Sequence, residues 1–170
     1  MLIGEKSIIR AVNLEDIKYL LDWREDPEIS FLLGRDLPIS FENQKRWYEK
    51  TFNDDSKKKF IIETKDKKII GMIGIMNIDF KNRHCECGIT IGDKEYWGEG
   101  FAVDSLNIII KFLLEEWNMN RIYTRIYEYN EKSLNLFKSL GFVFDGKLKD
   151  FIFTDNKFYD MFILSLKKVN

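Results

Sequence analysis

The chain is poor in the residues that staple or metallate small proteins: its 170 positions hold two cysteines, one histidine and two prolines. Cys85 and Cys87 are separated by one residue in a strand-like run, so their side chains point the same way, an awkward geometry for a mutual disulfide; we read them as reduced. His84 beside Cys85, Glu86 and Cys87 does not make a metal site, because consecutive strand residues alternate faces and one His with Cys-x-Cys lacks zinc spacing. We therefore expect no metal. Neither cysteine has an obvious histidine partner for nucleophilic catalysis.

Long apolar runs are also missing. The greasiest stretch, residues 101–114, is interrupted by Asp104, Asn107 and Lys111, short of the roughly 18–20 residues that span a bilayer. Residues 1–6 show no apolar run followed by a small-residue cleavage site. These absences predict a soluble, cytoplasmic protein with no membrane partner. Nor is there an excess of one charge: 27 basic and 28 acidic residues leave a net −1, so no global field draws the chain to nucleic acid. No repeat or linker is visible, and 45% apolar content over this length supports one core rather than two, so residues 1–170 are read as a single domain.

What is present is alternation of strand and helix periods. Residues 7–12 predict a strand, and Asn13 with Asp16 three later opens a helix carrying Leu14, Ile17, Leu20 and Leu21 that should stop before Pro27. Ser40 begins a second helix with Phe41, Gln44, Trp47, Tyr48 and Thr51 on one face. A lysine-rich turn at 57–59 leads into strands at 60–63, 69–78 and 83–91. The strongest helix follows Gly98-Glu99-Gly100, with Val103, Leu106, Ile110, Leu113 and Trp117 at three- and four-residue steps. A strand at 121–127, a helix capped by Asn130 and a hairpin pairing 143–152 with 157–166 complete the order βααβββαβαββ. This is an α+β chain with a mostly antiparallel seven-stranded sheet and about four helices.

Chemistry concentrates at Trp97-Gly98-Glu99-Gly100-Phe101-Ala102, between a strand and the long helix. Small residues there let backbone N–H groups approach a ligand, and the helix dipole favours an anion. Glycine before a helix also serves simply as a tight corner. Two familiar nucleotide motifs fail: position 103 is Val where G-x-G-x-x-G needs its third glycine, and no Gly-Lys-Ser/Thr follows for a P-loop. Glu99, being acidic, must point away from a bound phosphate.

The stretch 83–146 resembles the core of the GNAT acetyltransferase superfamily, whose turn reads Gln/Arg-x-x-Gly-x-Gly/Ala, matched by Trp97-x-x-Gly100-x-Ala102. Asn130-x-x-Ser133-x-x-Leu136-Phe137-x-x-Leu140-Gly141-Phe142 is similar to the helix that follows in that family. Trp97 in the first turn position resembles the branch holding ribosomal-protein N-terminal and polyamine acetyltransferases, and Trp23-Arg24-x-Asp26-Pro27 resembles amino-sugar acetyltransferases. The resemblance implies that the fourth and fifth strands splay apart around acetyl-CoA, with the backbone of Ile89, Thr90 and Ile91 pairing with its pantetheine. It implies cofactor contacts from residues 97–102, Asn130, Ser133 and Phe137.

A free amine must attack the thioester, and alkylammonium groups ionise near pKa 10, so a proton acceptor is needed. Glu86 resembles the strand-four glutamate that serves as general base in many GNAT enzymes. An oxyanion donor would be the N–H of Ile89 or Thr90. The tyrosine that usually protonates the CoA thiolate is replaced by Phe137, which leaves Tyr129, Tyr127 or water for that task; Tyr129 is taken as the candidate. The first two helices should wall the acceptor pocket, offering Trp23, Arg24, Arg35 and Trp47 to a small-molecule amine, a polyamine, an amino sugar or a peptide N-terminus. Relatives often pair, which allows a homodimer. A non-catalytic acyl-CoA sensor is the alternative, since it would keep the turn without needing Glu86.

Overall fold

The structure is a computed structural model that describes residues 1–34 and 38–169. Its strands are β1 (Leu2–Ile3), β2 (Ser7–Ala11), β3 (Lys58–Thr64), β4 (Ile69–Asp79), β5 (His84–Ile91), β6 (Arg121–Tyr127), β7 (Val143–Thr154) and β8 (Lys157–Lys167). They form one sheet in the order β1-β2-β3-β4-β5-β6-β8-β7, antiparallel throughout except for the parallel pair of β5 with β6. The helices are α1 (Ile17–Glu25), α2 (Pro27–Leu32), α3 (Phe41–Phe52), α4 (Phe101–Glu115) and α5 (Glu131–Ser139).

Eight strands and five α-helices among the described residues exceed the expected counts by one each. The two residues of β1 are too short for a sequence period to reveal, yet they pair with β2 at Leu2–Ile9 and Ile3–Ile8. Pro27 ends α1 as expected but also starts α2, because a proline at the first helical position loses no hydrogen bond and Asp26 caps it, accepting from the amides of Glu28 and Ile29. The final hairpin turns on Asp155 and Asn156, both with positive φ (50° and 58°), the backbone of a two-residue type I′ connection.

Alternation splits the sheet's side chains between two cores. On one face Ile62, Ile73, Ile75, Cys85, Cys87 and Ile122 pack under Leu106, Ile109 and Leu113 of α4 and under Leu134 and Phe137 of α5. On the other, Ile61 packs with Leu20 and Trp23 of α1 and Ile29 of α2. Both cysteines are free thiols, buried, and burial pushes the Cys85 thiol up to about 12. Asp104 in the first turn of α4 ties the helix to the sheet's far edge. Its carboxylate accepts from the backbone amides of Glu5, Lys6 and Ser7 and from the Ser7 hydroxyl, at 2.6–3.1 Å.

Candidate active site

β5 and β6 pair only from His84–Arg121 to Glu86–Tyr123 and then part. Which backbone groups of β5 face the resulting gap follows from the antiparallel ladder on its other side, where alternate residues direct both N–H and C=O the same way. Gly92 N–H donates to the Ile70 carbonyl, and a Cβ on Gly71 would collide with the Thr90 carbonyl oxygen, so Thr90 points toward β4. The polar backbone of Ile89 and Ile91 therefore faces the gap. The Ile91 carbonyl is already taken: it accepts from the Trp97 indole at 2.7 Å. Of the two amides considered at the level of sequence as oxyanion donors, that of Ile89 faces the gap and that of Thr90 faces β4.

At the open end of the gap lies the glycine turn. Gly98 (φ 79°) and Gly100 (φ 84°) adopt the left-handed conformation that costs an L residue about 1–2 kcal/mol. Around Gly98 an added Cβ would meet nothing within 4 Å, so backbone conformation rather than crowding is what favours glycine there. Gly100 is the N-cap of α4 and offers no side chain to the helix's first amides, leaving them to an anion. Trp97 is the hinge of this arrangement, since its indole nitrogen pins the turn to β5 while Lys132 of α5 stands 4.6 Å from its ring.

The gap opens into two adjoining cavities. One of about 640 Å³ is lined by Ile89, Thr90, Ile91, Trp97, Gly98, Gly100, Ala102, Asn130 and Ser133, nine of the residues expected to hold a cofactor. Sequence reasoning missed Tyr96, Val103, Lys132 and Leu136 on the same wall, together with Ile29, Leu32 and Leu33 of α2 and the turn after it. Glu99 and Phe101 are not on this surface: Glu99 is exposed and its carbonyl accepts from Lys6 Nζ at 2.8 Å, while the Phe101 ring packs edge-on against Tyr96. Phe137 lines the second cavity, about 390 Å³, where its ring is 1% exposed and packs edge-on against Phe142.

The second cavity holds Glu86, which is 5% exposed. Its Oε1 accepts from Arg125 Nε at 2.9 Å and its Oε2 from Asn77 Nδ2 at 2.8 Å. Asn77 reaches it because β4 bulges there, with Asn77 at φ 49°, and the same amide nitrogen lies 3.2 Å from the Tyr123 hydroxyl. The carboxylate in turn raises the Arg125 pKa above its ordinary value by accepting its hydrogen bond.

The other nominated residues sit elsewhere. The Tyr129 hydroxyl donates to the Phe31 carbonyl at 3.0 Å, and its ring stacks on Phe31 and meets Tyr159 edge-on, outside both cavities; Tyr127 is the tyrosine that lines the second one. Trp23 is 9% exposed and packs against Gly92, where a Cβ would collide with its ring, and Trp47 packs against that same cluster. Both tryptophans serve the core of the α1 face rather than either cavity. Arg24 lines neither cavity. Arg35 lies outside the described residues. Lys59, read as the end of a lysine-rich turn, instead belongs to β3 and lines the second cavity.

A family profile described as an acetyltransferase (GNAT) domain matches residues 6–143. The chain belongs to the GNAT acetyltransferase family. A prophage-derived uncharacterized N-acetyltransferase, YokL, of Bacillus subtilis is 30% identical over 157 residues, 92% of this chain and 87% of the relative. A spermidine N(1)-acetyltransferase of Vibrio cholerae is 26% identical over 165 residues, 95% of each chain. The crystal structure of spermidine N-acetyltransferase from Vibrio cholerae in complex with CoA and spermine superposes with a TM-score of 0.88 at 24% identity over 95% of each chain, a shared fold.

The acetyltransferase is thus an acetyl-CoA-dependent enzyme, which sets aside the sensor reading. The larger cavity suits that co-substrate: a glycine turn with open space where a side chain at Gly98 would stand, helix amides beside it with no side-chain cap, and a strand edge whose Ile89 backbone is left to pair. Among the described residues no cluster of His, Cys, Asp and Glu could hold a metal ion, and no helix is long and apolar enough to cross a membrane.

Proposed function

We propose that residues 1–170 act as one cytoplasmic domain that moves an acetyl group from acetyl-CoA directly to a primary amine in a ternary complex, with Glu86 as general base. The observation that carries this reading is the position of Glu86 at the last β5–β6 pair, in a cavity that shares Ile89, Thr90, Asn130 and Ser133 with the cavity containing the glycine turn. The amine enters from the Glu86 side and the thioester from the turn side, so they meet at Ile89.

An alkylammonium must lose a proton before its nitrogen can attack. Each Glu86 oxygen accepts one hydrogen bond from a neighbouring side chain, which leaves a lone pair on each for the incoming ammonium or a water beside it. Arg125 and Asn77 fix the carboxylate's orientation. Attack places negative charge on the thioester oxygen, where the Ile89 amide supports it. The nitrogen gives up its remaining extra proton to water as the C–S bond breaks and the thiolate leaves. A thiol with pKa around 8.5 is a fair leaving group, and with Phe137 lacking a hydroxyl and Tyr129 engaged by Phe31, water supplies its proton.

The test is release of free CoA thiol with and without amine, for wild type and Glu86→Gln. General-base catalysis contributes roughly 10²–10⁴-fold, so the variant should lose at least about a hundredfold in kcat/KM while CoA still raises its melting temperature. Undiminished turnover by Glu86→Gln would remove Glu86 from the mechanism.

A further inference from the structure

The mouth of the second cavity carries a cation that acetyl transfer itself does not need. Lys59 of β3 lies opposite Gly74 of β4, and Gly74 lies opposite Gly88 of β5, all on the Glu86 face of the sheet. The Lys59 side chain runs across Gly74, where any Cβ would collide with its ammonium, and at Gly88 a Cβ would meet nothing nearer than Met76 Cε at 3.7 Å. Two glycines in cross-strand register thus clear a trough that carries the ammonium from the third strand toward the gap.

Among the described residues no carboxylate or carbonyl pairs with that ammonium. Burial pushes the Lys59 pKa down, the nearby Glu86 charge opposes this, and Lys57 and Arg24 add positive charge. The Glu86 oxygens accept from Arg125 and Asn77 rather than from Lys59, and among the described residues the charged lining of the cavity is Lys59, Arg125 and Glu86. A partly buried, unpaired cation in a cavity is costly unless a ligand supplies its counter-charge.

We propose that the acceptor amine carries an anionic oxygen group, carboxylate or phosphate, which pairs with Lys59 while the amine reaches the gap beside Ile89. Strands lie about 4.8 Å apart, so one to two spacings separate the trough over Gly74 from the gap, and the amine and anion stand roughly 5–10 Å apart. An α-amino acid is too short, and a polycation such as spermidine, the substrate in the name of the Vibrio cholerae relative, meets repulsion. This inference rests on the acetyl-transfer reading for its chemistry, but its binding component stands separately.

Thiol release is compared for hexylamine, spermidine, 6-aminohexanoate and 6-aminohexyl phosphate with wild type, Lys59→Met and Lys59→Arg. A hydrogen-bonded charge pair implies a roughly 10–100-fold preference in kcat/KM for the anionic amines over hexylamine, expressed mainly in KM, which Lys59→Met levels and Lys59→Arg retains. Which anionic amine is better separates carboxylate from phosphate. In parallel, calorimetry measures binding of both anionic amines to the CoA-loaded protein. Lys59-dependent binding without turnover supports the anion site and sinks the proposed chemistry. Equal use of hexylamine and the anionic amines, preferred use of spermidine, a preference that survives in Lys59→Met, or no Lys59-dependent turnover or binding overturns the inference.

Discussion

The Nε of Arg125 donates to Oε1 of Glu86 at 2.9 Å, bridging β6 and β5 where the two strands stop pairing. The Glu86 side chain is 6% exposed and that of Arg125 39%, so the pair is buried on one side only and its worth is reduced by solvent screening. Removing Arg125 strips a buried carboxylate of one of its two side-chain donors. Arg125→Leu should cost about 1–3 kcal/mol of stability and lower kcat/KM. In a double-mutant cycle with Glu86→Gln, the two losses should fall short of additivity by about 0.5–3 kcal/mol, because either change alone disables the same arrangement.

The glycine turn makes its own forecast. Gly98→Ala places a methyl group in open space at positive φ, so stability should fall by about 1–2 kcal/mol, and the melting temperature by a few degrees, from backbone strain alone. If the turn holds the diphosphate as proposed, CoA affinity should fall further than the strain accounts for, because the added methyl occupies the open space beside it. Titration calorimetry of the variant against wild type separates the two effects.

Asp104 sets an acid limit on stability. Burial acts to raise its pKa, but the hydrogen bond from the Ser7 hydroxyl and those from the amides of Ser7, Glu5 and Lys6 outweigh it, so the carboxyl sits below its ordinary value. A carboxylate depressed in the folded state contributes stability that is fully present above the unfolded pKa, near 3.9, and lost as pH falls through the folded one. Asp104→Asn should therefore destabilise at neutral pH by about 1–3 kcal/mol and show a shallower decline in melting temperature below about pH 4 than wild type.

Both thiols should be silent in the native protein. Burial holds the Cys85 thiol at about 12 and that of Cys87 above the ordinary range, so neither forms a reactive thiolate at pH 8. Ellman's reagent should label neither cysteine until denaturant is added, leaving released CoA as the thiol seen in turnover assays.

Much of this was legible in the sequence where a single period dominates. The α4 stripe, the β5 alternation and the turn at 97–102 each carry a local pattern, and the paired turn and Asn130 motifs placed both walls of the gap. What escaped depends on register between distant strands. Lys59 ends a run of three lysines that looks like a turn, and only the cross-strand alignment with Gly74 and Gly88 shows where its ammonium goes. The role of Asn77 needs a β-bulge that no periodicity announces. Trp23 and Trp47 misled for the opposite reason: large amphipathic rings suit ligand stacking and core packing equally, and here the space left by Gly92 claims Trp23 for the core.

A crystal structure of the protein with CoA bears most directly on the account. The prediction is a diphosphate with its oxygens about 3 Å from the backbone amides of the 98–103 turn, pantetheine hydrogen-bonded to the main chain of Ile89, and the thiol at the junction of the two cavities. CoA bound elsewhere, or lying with its thiol remote from Glu86, would contradict it.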